Sequence, residues 1–457
     1  MIGAALFVLS SLAFAVLAFA RHPIFGLYFY LASIYVHPPS RWWGPMLPDL
    51  RWALTSAFIT AAAIVWHRGR LAEKAPWYSN GAAMILIAYA SLMVVQTAWA
   101  LDVPTHLDGT IKFLKYLIAF WIFYRICDRP ETLRDAMLGH VLGCVLLGIF
   151  AISIGREGDR LDGVGGPGMD DANTLGMYLA TGLVLGMGLV LVLNGWRRLA
   201  LLGLLGLTAT GFVLANSRGA LLGLVAGGAT LLITKSRVHS KGFWVLALVG
   251  LVGMAAVVDK KFIDRMFTIG DVVEVSEEAD ASARSRMAIY EAQVRMALDH
   301  PFGAGHRGTA TLSPQYIESR WLTTAHSGDS GEAQRSSHNT FMTTLVEQGF
   351  AGSMLFIALL LWLCMTILRL RRMVARRDAD PTVATLAGSI AGALMVVIVA
   401  GTATDYLLAE VQFWLFAALV SACQLLETAN ARRATDASGA AKKQPGAAAT
   451  RHIARGA

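Results

Sequence analysis

The chain has 457 residues, of which 55% are hydrophobic and 15% are charged, and its mean hydropathy is +0.53. A water-soluble protein of this length needs a larger charged surface, so the composition excludes that class and indicates a polytopic membrane protein. The formal net charge of +8 would suggest a nucleic-acid partner in a soluble protein. Here most of the excess lies in short loops and in the tail, so membrane lipid, not nucleic acid, is the expected contact.

Apolar segments recur along the chain at about the length, roughly 20 residues, that a bilayer core requires. The predicted segments are 2–20, 22–37, 52–66, 81–99, 109–126, 136–154, 172–194, 198–215, 218–234, 242–258, 341–368, 384–403 and 406–427. The first has no charged start and no cleavage site, so we expect it to be retained. Residues 1–37 could cross twice, or once as a helix broken around Arg21, His22 and Pro23. We prefer the single crossing, which gives about twelve transmembrane helices.

The charge of the loops predicts their side of the membrane. Basic loops at 67–74, 125–134, 197–198, 235–241 and 369–377 alternate with the remaining loops and are expected to be cytoplasmic. The chain is therefore predicted to be an all-α polytopic membrane protein with four parts. These are N-terminal transmembrane helices at 1–258, a large outer loop at 259–337, C-terminal transmembrane helices at 338–427, and a disordered basic cytoplasmic tail at 428–457.

Several arginines fall on the predicted outer side. Arg218 stands at the start of a helix, where the macrodipole disfavours a cation and so favours an anionic partner. Ordinary interfacial snorkelling is the alternative for Arg218, and pairing with the acidic residues 271–280 is the alternative for the cations that follow them. The outer cations are Arg160, Arg218, Arg265, Arg284 and Arg286.

The outer loop is predicted to contain amphipathic helix. Met287, Tyr290, Val294 and Leu298 recur at helical spacing, which favours a helix on the membrane face or against the bundle. The segment His300–Gly305 then ends that helix with a turn.

His338 lies where the outer loop meets the next membrane segment. Its imidazole can exchange a proton near neutral pH at a lipid–water boundary, although a polar helix start with no catalytic role is the alternative. Glu347 lies within that segment, where an acidic side chain is a functional or pairing candidate by default. No paired Cys/His spacing and no phosphate loop ending in Lys-Ser/Thr is present in the sequence. No metal or other cofactor is therefore expected, and arginines with an imidazole suit a lipid-linked pyrophosphate substrate.

Three motifs resemble those of the O-antigen ligase superfamily, which also holds O-antigen polymerases and protein O-oligosaccharyltransferases. They are Asn216-Ser217-Arg218-Gly219-Ala220, Arg286 and Tyr290 followed by His300-Pro301-Phe302-Gly303-Ala304-Gly305, and His338-Asn339-Thr340-Phe341 followed by Glu347-Gln348-Gly349-Phe350-Ala351-Gly352. The family usually has an aromatic residue, often Trp, where Tyr290 stands. The N-terminal run from His22 through Trp42-Trp43-Gly44 is similar to a ligase subgroup sometimes associated with protein sorting systems, which leaves the acceptor open.

The resemblance implies a multi-pass enzyme of the bacterial inner membrane, with the large loop and the active site in the periplasm. It would transfer O-antigen polysaccharide from undecaprenyl pyrophosphate to lipid A–core oligosaccharide, in lipopolysaccharide biosynthesis, by a metal-independent inverting displacement. His338 would be the general base or would orient the acceptor. Arg218 and Arg265 would hold the pyrophosphate, with Arg284 or Arg286 as a further cation and Arg160 as a weaker candidate.

Three other functions stay open from sequence. An O-antigen polymerase or a protein O-oligosaccharyltransferase would use the same donor with another acceptor. A transporter of lipid-linked glycan is more distant, because the long loop lies on one side only and the two halves of the chain show no repeat.

Overall fold

The computed structural model describes residues 2–156, 161, 163–166, 168–236, 238–267, 277–322, 333–375 and 380–442. Within two helices and the end of a third, at residues 265, 267, 277–286 and 430–442, it describes the backbone and not the side chains. Across these residues the chain is helical, with no β-strand.

Sixteen α-helices are formed by the described residues. They are α1 (Ile2–Ala20), α2 (Ile24–Val36), α3 (Trp52–Trp66), α4 (Gly81–Gln96), α5 (Val103–Ile126), α6 (Pro130–Ile154), α7 (Ala172–Val192), α8 (Gly195–Ala215), α9 (Arg218–Thr234), α10 (Ser240–Val257), α11 (Lys260–Phe267), α12 (Glu277–Asp299), α13 (Gly308–Tyr316), α14 (Thr340–Val374), α15 (Pro381–Ala400) and α16 (Glu410–Lys442).

Each of the thirteen apolar segments predicted from sequence forms a helix, so the multi-pass helical class is confirmed. By length and composition, eight helices of the described chain can cross a membrane, and three shorter apolar helices, α3, α4 and α9, join them. The total of about twelve crossings stays a prediction.

The first three helices form an up–down–up unit. Phe14 of α1 contacts Tyr28 of α2 across the turn between them, with ring centroids 5.9 Å apart. Helices α1 and α3 run parallel, since Phe7 contacts Trp52 near their starts and Phe19 contacts Trp66 near their ends. The chain therefore reverses direction at residues 21–23. This geometry favours the two-crossing alternative over the single broken helix that we preferred from sequence, because Pro23 starts a new helix instead of kinking the old one.

Helices α7, α15 and the first part of α16 lie at the centre of the bundle and are mostly buried. Helix α9 packs closely on α15 through small residues. A Cβ placed on Gly223 would lie 2.7 Å from the Val396 carbonyl oxygen, and one on Gly227 would lie 2.8 Å from that of Gly392. Close approach of this kind is typical of helix pairs in membranes. It fixes the start of α9 beside the end of α15.

The loops predicted to be cytoplasmic meet at one end of the bundle. The Ala72 amide donates to Asp128 (2.7 Å), and Lys74 Nζ donates to Ser421 Oγ (2.8 Å). Arg369 pairs with Glu427 at 2.9 Å, and His239 Nδ1 lies 2.8 Å from Thr385 Oγ1. We call this the basic end, and the opposite end, where α15 ends, the site end.

The large loop contains the helix predicted from the apolar repeat, α12, but the repeat faces away from the protein. Met287 and Leu298 are 61% and 65% exposed. The opposite side of α12, with Ile289, Ala292 and Met296, is buried in a small core together with Val346 of α14. The repeat is therefore free to face the membrane, which was one of the two predicted positions.

Helix α16 continues to Lys442. The predicted disordered basic tail at 428–457 stays a prediction. Residues 443–457 lie outside the described chain.

Candidate active site

Four helix ends meet at the segment 401–409, which joins α15 to α16. The Thr340 amide at the start of α14 donates to the Gly401 carbonyl at 2.8 Å. The neighbouring Asn339 Nδ2 donates to the Thr402 carbonyl at 3.1 Å. At the start of α9, a Cβ placed on Gly219 would lie 2.9 Å from the Ala403 Cβ. The start of α9 and the start of α14 therefore lie against the same few residues.

His338 stands immediately before the cap of α14. The Asn339 side chain accepts hydrogen bonds from the amides of Phe341 (2.9 Å) and Met342 (3.2 Å), which ends the loop and begins the helix. The His338 side chain is exposed. Its position at a polar helix start at the mouth of the site end agrees with the sequence prediction, while its catalytic role stays a prediction.

Arg218 is the first residue of α9, as predicted, and is half-buried. Ser217 caps this helix by accepting from the Ala220 amide at 3.3 Å, and its hydroxyl donates to Asn173 Oδ1 at 2.9 Å. Asp171 in turn caps α7. The starts of α7 and α9 are thereby tied together, and Arg218 is held at a helix N-terminus that also attracts anions.

The side chains of the other four predicted arginines lie outside the described part of the structure. Arg265 lies in α11, and Arg284 and Arg286 lie in α12. Arg160 is outside the described part altogether. The structure thus brings His338 and Arg218 to one end of the bundle, and the roles of the other four stay predictions.

Helix α14 is broken at Gly349, which has φ 67° and ψ −168°. The segment Pro301–Gly305 pairs with the broken turn. The amides of Ala304 and Gly305 donate to the carbonyls of Val346 and Glu347, both at 2.9 Å, and the Phe350 amide donates to the Pro301 carbonyl at 3.0 Å. The loop thereby satisfies backbone groups that the break leaves free, as a broken helix at membrane depth requires. A Cβ on Gly349 would lie 2.5 Å from the Gly303 amide nitrogen, so only glycine fits.

A group of polar residues surrounds this break, and we call it the kink cluster: Gln96, His106, His306, Glu347 and Asp405. Gln96 Nε2 donates to the Glu347 carbonyl at 2.6 Å. The His306 amide donates to His106 Nδ1 at 3.0 Å, and His106 Nε2 lies 2.8 Å from the Met93 carbonyl, so the His106 proton is on Nε2. His306 Nδ1 lies 3.4 Å from Glu347 Oε2. Three helices and the large loop therefore meet in one polar centre.

Asp405 lies in the segment 401–409, against which the starts of α9 and α14 pack, and it interacts electrostatically with Glu347 and His306 of the kink cluster. Burial, with the nearby Glu347 carboxylate as the second cause, raises the pKa of Asp405 to about 7. A hydrogen bond from the Leu407 amide to Asp405 Oδ1 (3.0 Å) opposes this rise. A carboxyl group that titrates near neutral pH can exchange protons during a reaction.

Several buried side-chain atoms of this region have no hydrogen-bond partner within the described ranges. They are Gln96 Oε1 and both polar atoms of the Gln348 side chain, and Glu347 Oε2 has only the 3.4 Å contact with His306 Nδ1. Glu347 is 5% exposed and the two glutamines are fully buried. Buried polar atoms are nearly always paired in proteins. The unpaired set therefore distinguishes this region from the fully paired parts of the bundle.

Sequence reasoning singled out Glu347 but missed the rest of the kink cluster. Asp405 carried a usable signal, since it is an acidic residue at the predicted outer edge of a membrane segment. His106, His306 and Gln96 carried none, because their partners are distant in sequence. Across the described residues, no three His, Cys, Asp or Glu side chains are grouped so as to hold a metal ion. The metal-independent mechanism stays a prediction.

The fold and this end of the bundle define a multi-pass helical membrane protein with a polar site where helix starts converge. Residues 203–357 match the model of a family described as O-antigen ligase. The matched region includes the start of α9, the large loop, His338 and the break in α14. It supports a membrane glycosyl-transferring enzyme of the O-antigen ligase or polymerase kind, which acts on lipid-linked polysaccharide. No curated protein matches the chain.

Proposed function

We propose that the protein is an O-antigen ligase. It transfers a polysaccharide from undecaprenyl pyrophosphate to the lipid A–core oligosaccharide on the periplasmic side of the inner membrane. The observation that carries this proposal is the convergence of the starts of α9 and α14 on the segment 401–409, which brings Arg218 and His338 to the same end of the bundle. A cation and an imidazole are the groups that transfer from a lipid pyrophosphate needs.

The proposed reaction is a single displacement. The acceptor hydroxyl oxygen attacks the anomeric carbon as the bond from that carbon to the pyrophosphate oxygen breaks. The pyrophosphate leaves with the electron pair of that bond, and the configuration at the anomeric carbon is inverted. His338 takes the hydroxyl proton or orients the hydroxyl for attack. Arg218 stabilises the charge that builds on the leaving group, together with Arg265, Arg284 or Arg286, and with Arg160 as the weaker candidate.

The kink cluster, which lies next to the segment 401–409, also supports this proposal. Asp405 belongs to the same segment that contacts Asn339 and Thr340, and the raised pKa of its carboxyl group suits a residue that accepts or returns a proton near neutral pH. Gln96 Oε1 has no partner and Glu347 Oε2 has only the contact with His306 Nδ1, so both oxygens can accept a hydrogen bond from a sugar hydroxyl. We assign these residues to sugar and proton handling, and the arginines to the pyrophosphate.

Reconstitution of the purified protein with a lipid-linked polysaccharide tests the proposal. One sample receives lipid A–core oligosaccharide, one receives only donor, and one receives a Ser/Thr-rich acceptor protein. We expect polysaccharide attached to lipid A–core in the first sample and no reaction in the others. Longer lipid-linked chains in the donor-only sample would indicate a polymerase, and glycosylated protein would indicate an oligosaccharyltransferase. His338→Ala protein is the matched control for each sample.

A further inference from the structure

A pocket lies at the site end, where α16 begins. Its volume is about 360 Å³, within the range of about 300–1,000 Å³ that small ligands occupy. The end of α2, the start of α3, the middle of α5 and the first residue of α16 form its walls. None of the residues assigned above to the transfer reaction lines it.

The walls of this pocket carry two cations and two carboxylates: Arg51, Lys115, Asp49 and Glu410. Glu410 accepts a hydrogen bond from the Tyr30 hydroxyl, which fixes its carboxylate on the inner wall. Asp49, Arg51 and Lys115 are exposed. Within the part of the chain that the structure describes, no ion pair involves Arg51 or Lys115. Their charges are thus available to a ligand.

The pocket adjoins an exposed apolar face of α5, because Ile118 belongs to both. Ile111, Leu114 and Ile118 are 46%, 40% and 47% exposed on the face of α5 that also carries Lys115. In a bilayer such a face contacts acyl chains. Trp52 lines the pocket and Trp42 nearby is 75% exposed, and tryptophan is enriched at the level of lipid headgroups. A ligand here would therefore have its polar part in the pocket and its apolar part along α5.

The balance of charge selects the headgroup. A simple anion would be attracted by Arg51 and Lys115 but repelled by the two carboxylates. A simple cation would be attracted by the carboxylates but repelled by Arg51 and Lys115. A zwitterion satisfies both sets, with phosphate oxygens facing the cations and an ammonium group, which has three N–H donors, facing the carboxylates. We propose that this pocket binds the headgroup of a phosphoethanolamine phospholipid of the surrounding membrane, with its acyl chains along Ile111, Leu114 and Ile118.

Native mass spectrometry of the purified full-length protein tests this proposal. The protein is incubated with an equimolar mixture of phosphatidylethanolamine and phosphatidylglycerol, and the retained lipid is identified. We expect one phosphatidylethanolamine to be retained at least about tenfold more than phosphatidylglycerol, because only the ammonium group can donate charge-assisted hydrogen bonds to the carboxylates. Equal retention of both lipids, or preference for phosphatidylglycerol, would overturn the proposal.

Variants separate the two halves of the pocket. Lys115→Gln should reduce retention of phosphatidylethanolamine about tenfold, and Asp49→Asn should move the preference towards phosphatidylglycerol. Lys241→Gln removes a matched exposed lysine of α10 at the basic end and should change neither. His338→Ala should also retain the lipid, so that failure of the lipid site and failure of the transfer proposal are distinguishable. Unchanged selectivity in both pocket variants would show that the headgroup binds elsewhere.

Discussion

Two buried polar clusters of this bundle contain histidine, and they differ in how completely their polar atoms are paired. In the first, the core cluster of Tyr35, His140, Cys144 and Thr181, the Tyr35 hydroxyl lies 2.6 Å from His140 Nδ1, and His140 Nε2 lies 3.1 Å from Thr181 Oγ1. The Thr181 hydroxyl donates to the Tyr178 carbonyl at 2.6 Å, and Cys144 Sγ donates to the same carbonyl at 3.2 Å. Both nitrogens of His140 are therefore satisfied, and the network joins α2, α6 and α7.

The kink cluster is the contrasting case. It also lies among buried helices, but Glu347 Oε2 and Gln96 Oε1 have no hydrogen-bond partner in the described structure, and the helix beside them is broken at Gly349. A fully paired network fixes one packing arrangement, whereas an incompletely paired one lowers stability and persists where it serves a function. Buried histidine alone therefore does not distinguish the two clusters, whereas the pairing of the surrounding polar atoms does.

The largest expected effect comes from His338→Ala. If His338 serves the acceptor hydroxyl, its loss should lower the rate of glycan transfer by about 10²–10⁴-fold, the usual contribution of a positioned acid or base. Because the side chain is exposed, the melting temperature should not change. The rate is measured with purified protein, lipid-linked donor and acceptor. Transfer at the wild-type rate would remove His338 from the mechanism.

Arg218 should show the next largest effect. Arg218→Ala should lower the rate of transfer by about 10²-fold, since a preorganised donor to a developing negative charge is lost. Arg218→Lys should recover little of it, because a point charge replaces a fork that can hold two oxygens at once. Parallel measurement of donor binding shows whether the loss lies in affinity or in rate. Full activity of the lysine variant would contradict bidentate contact with the pyrophosphate.

The helices of this protein could be predicted from sequence because a bilayer requires long apolar segments, and each of the thirteen predicted segments is a helix. The break in α14 could not be predicted. Gly349 resembles an ordinary packing glycine, and the loop that pairs with it, Pro301–Gly305, lies far away in sequence. Sequence could not predict which face of α12 packs against the protein, because both faces carry apolar residues. The contact with Val346 decides between them.

The candidate site also contains residues that could be predicted from sequence and residues that could not. His338 and Arg218 could be found because each stands at the boundary between a polar stretch and a membrane helix, where local sequence is informative. His106 and His306 could not, because what distinguishes them is their contact with each other across the fold.

His140→Leu tests the structural side of the comparison. The substitution leaves the Tyr35 hydroxyl and Thr181 without their partner in a buried place, so the free energy of unfolding should fall by about 2 kcal/mol. Thermal unfolding followed by tryptophan fluorescence measures the loss. The rate of transfer per folded molecule should stay at the wild-type value. A specific loss of transfer with unchanged stability would give the core cluster a role in the reaction.

Asp405→Asn tests the kink cluster through pH. The raised pKa of Asp405, about 7, lies above the value of about 3.9 in an unfolded chain. Between pH 5 and pH 8 the carboxyl group is therefore ionised in the unfolded state. In the folded state it is protonated at pH 5 and loses its proton as the pH rises through about 7, so wild-type stability falls over this range. Asparagine cannot ionise, and the variant should lack this fall.

The stability of Asp405→Asn relative to wild type should thus rise by about 1–2 kcal/mol from pH 5 to pH 8, a value discounted for partial exposure. Melting temperatures at intervals of one pH unit check it. Glu347→Gln is the matched variant. It removes the carboxylate that helps to raise the pKa of Asp405, so the fall in stability should occur at lower pH and be smaller. If both variants kept the wild-type pH dependence, Glu347 and Asp405 would not share one electrostatic centre, and the kink cluster would resemble the core cluster after all.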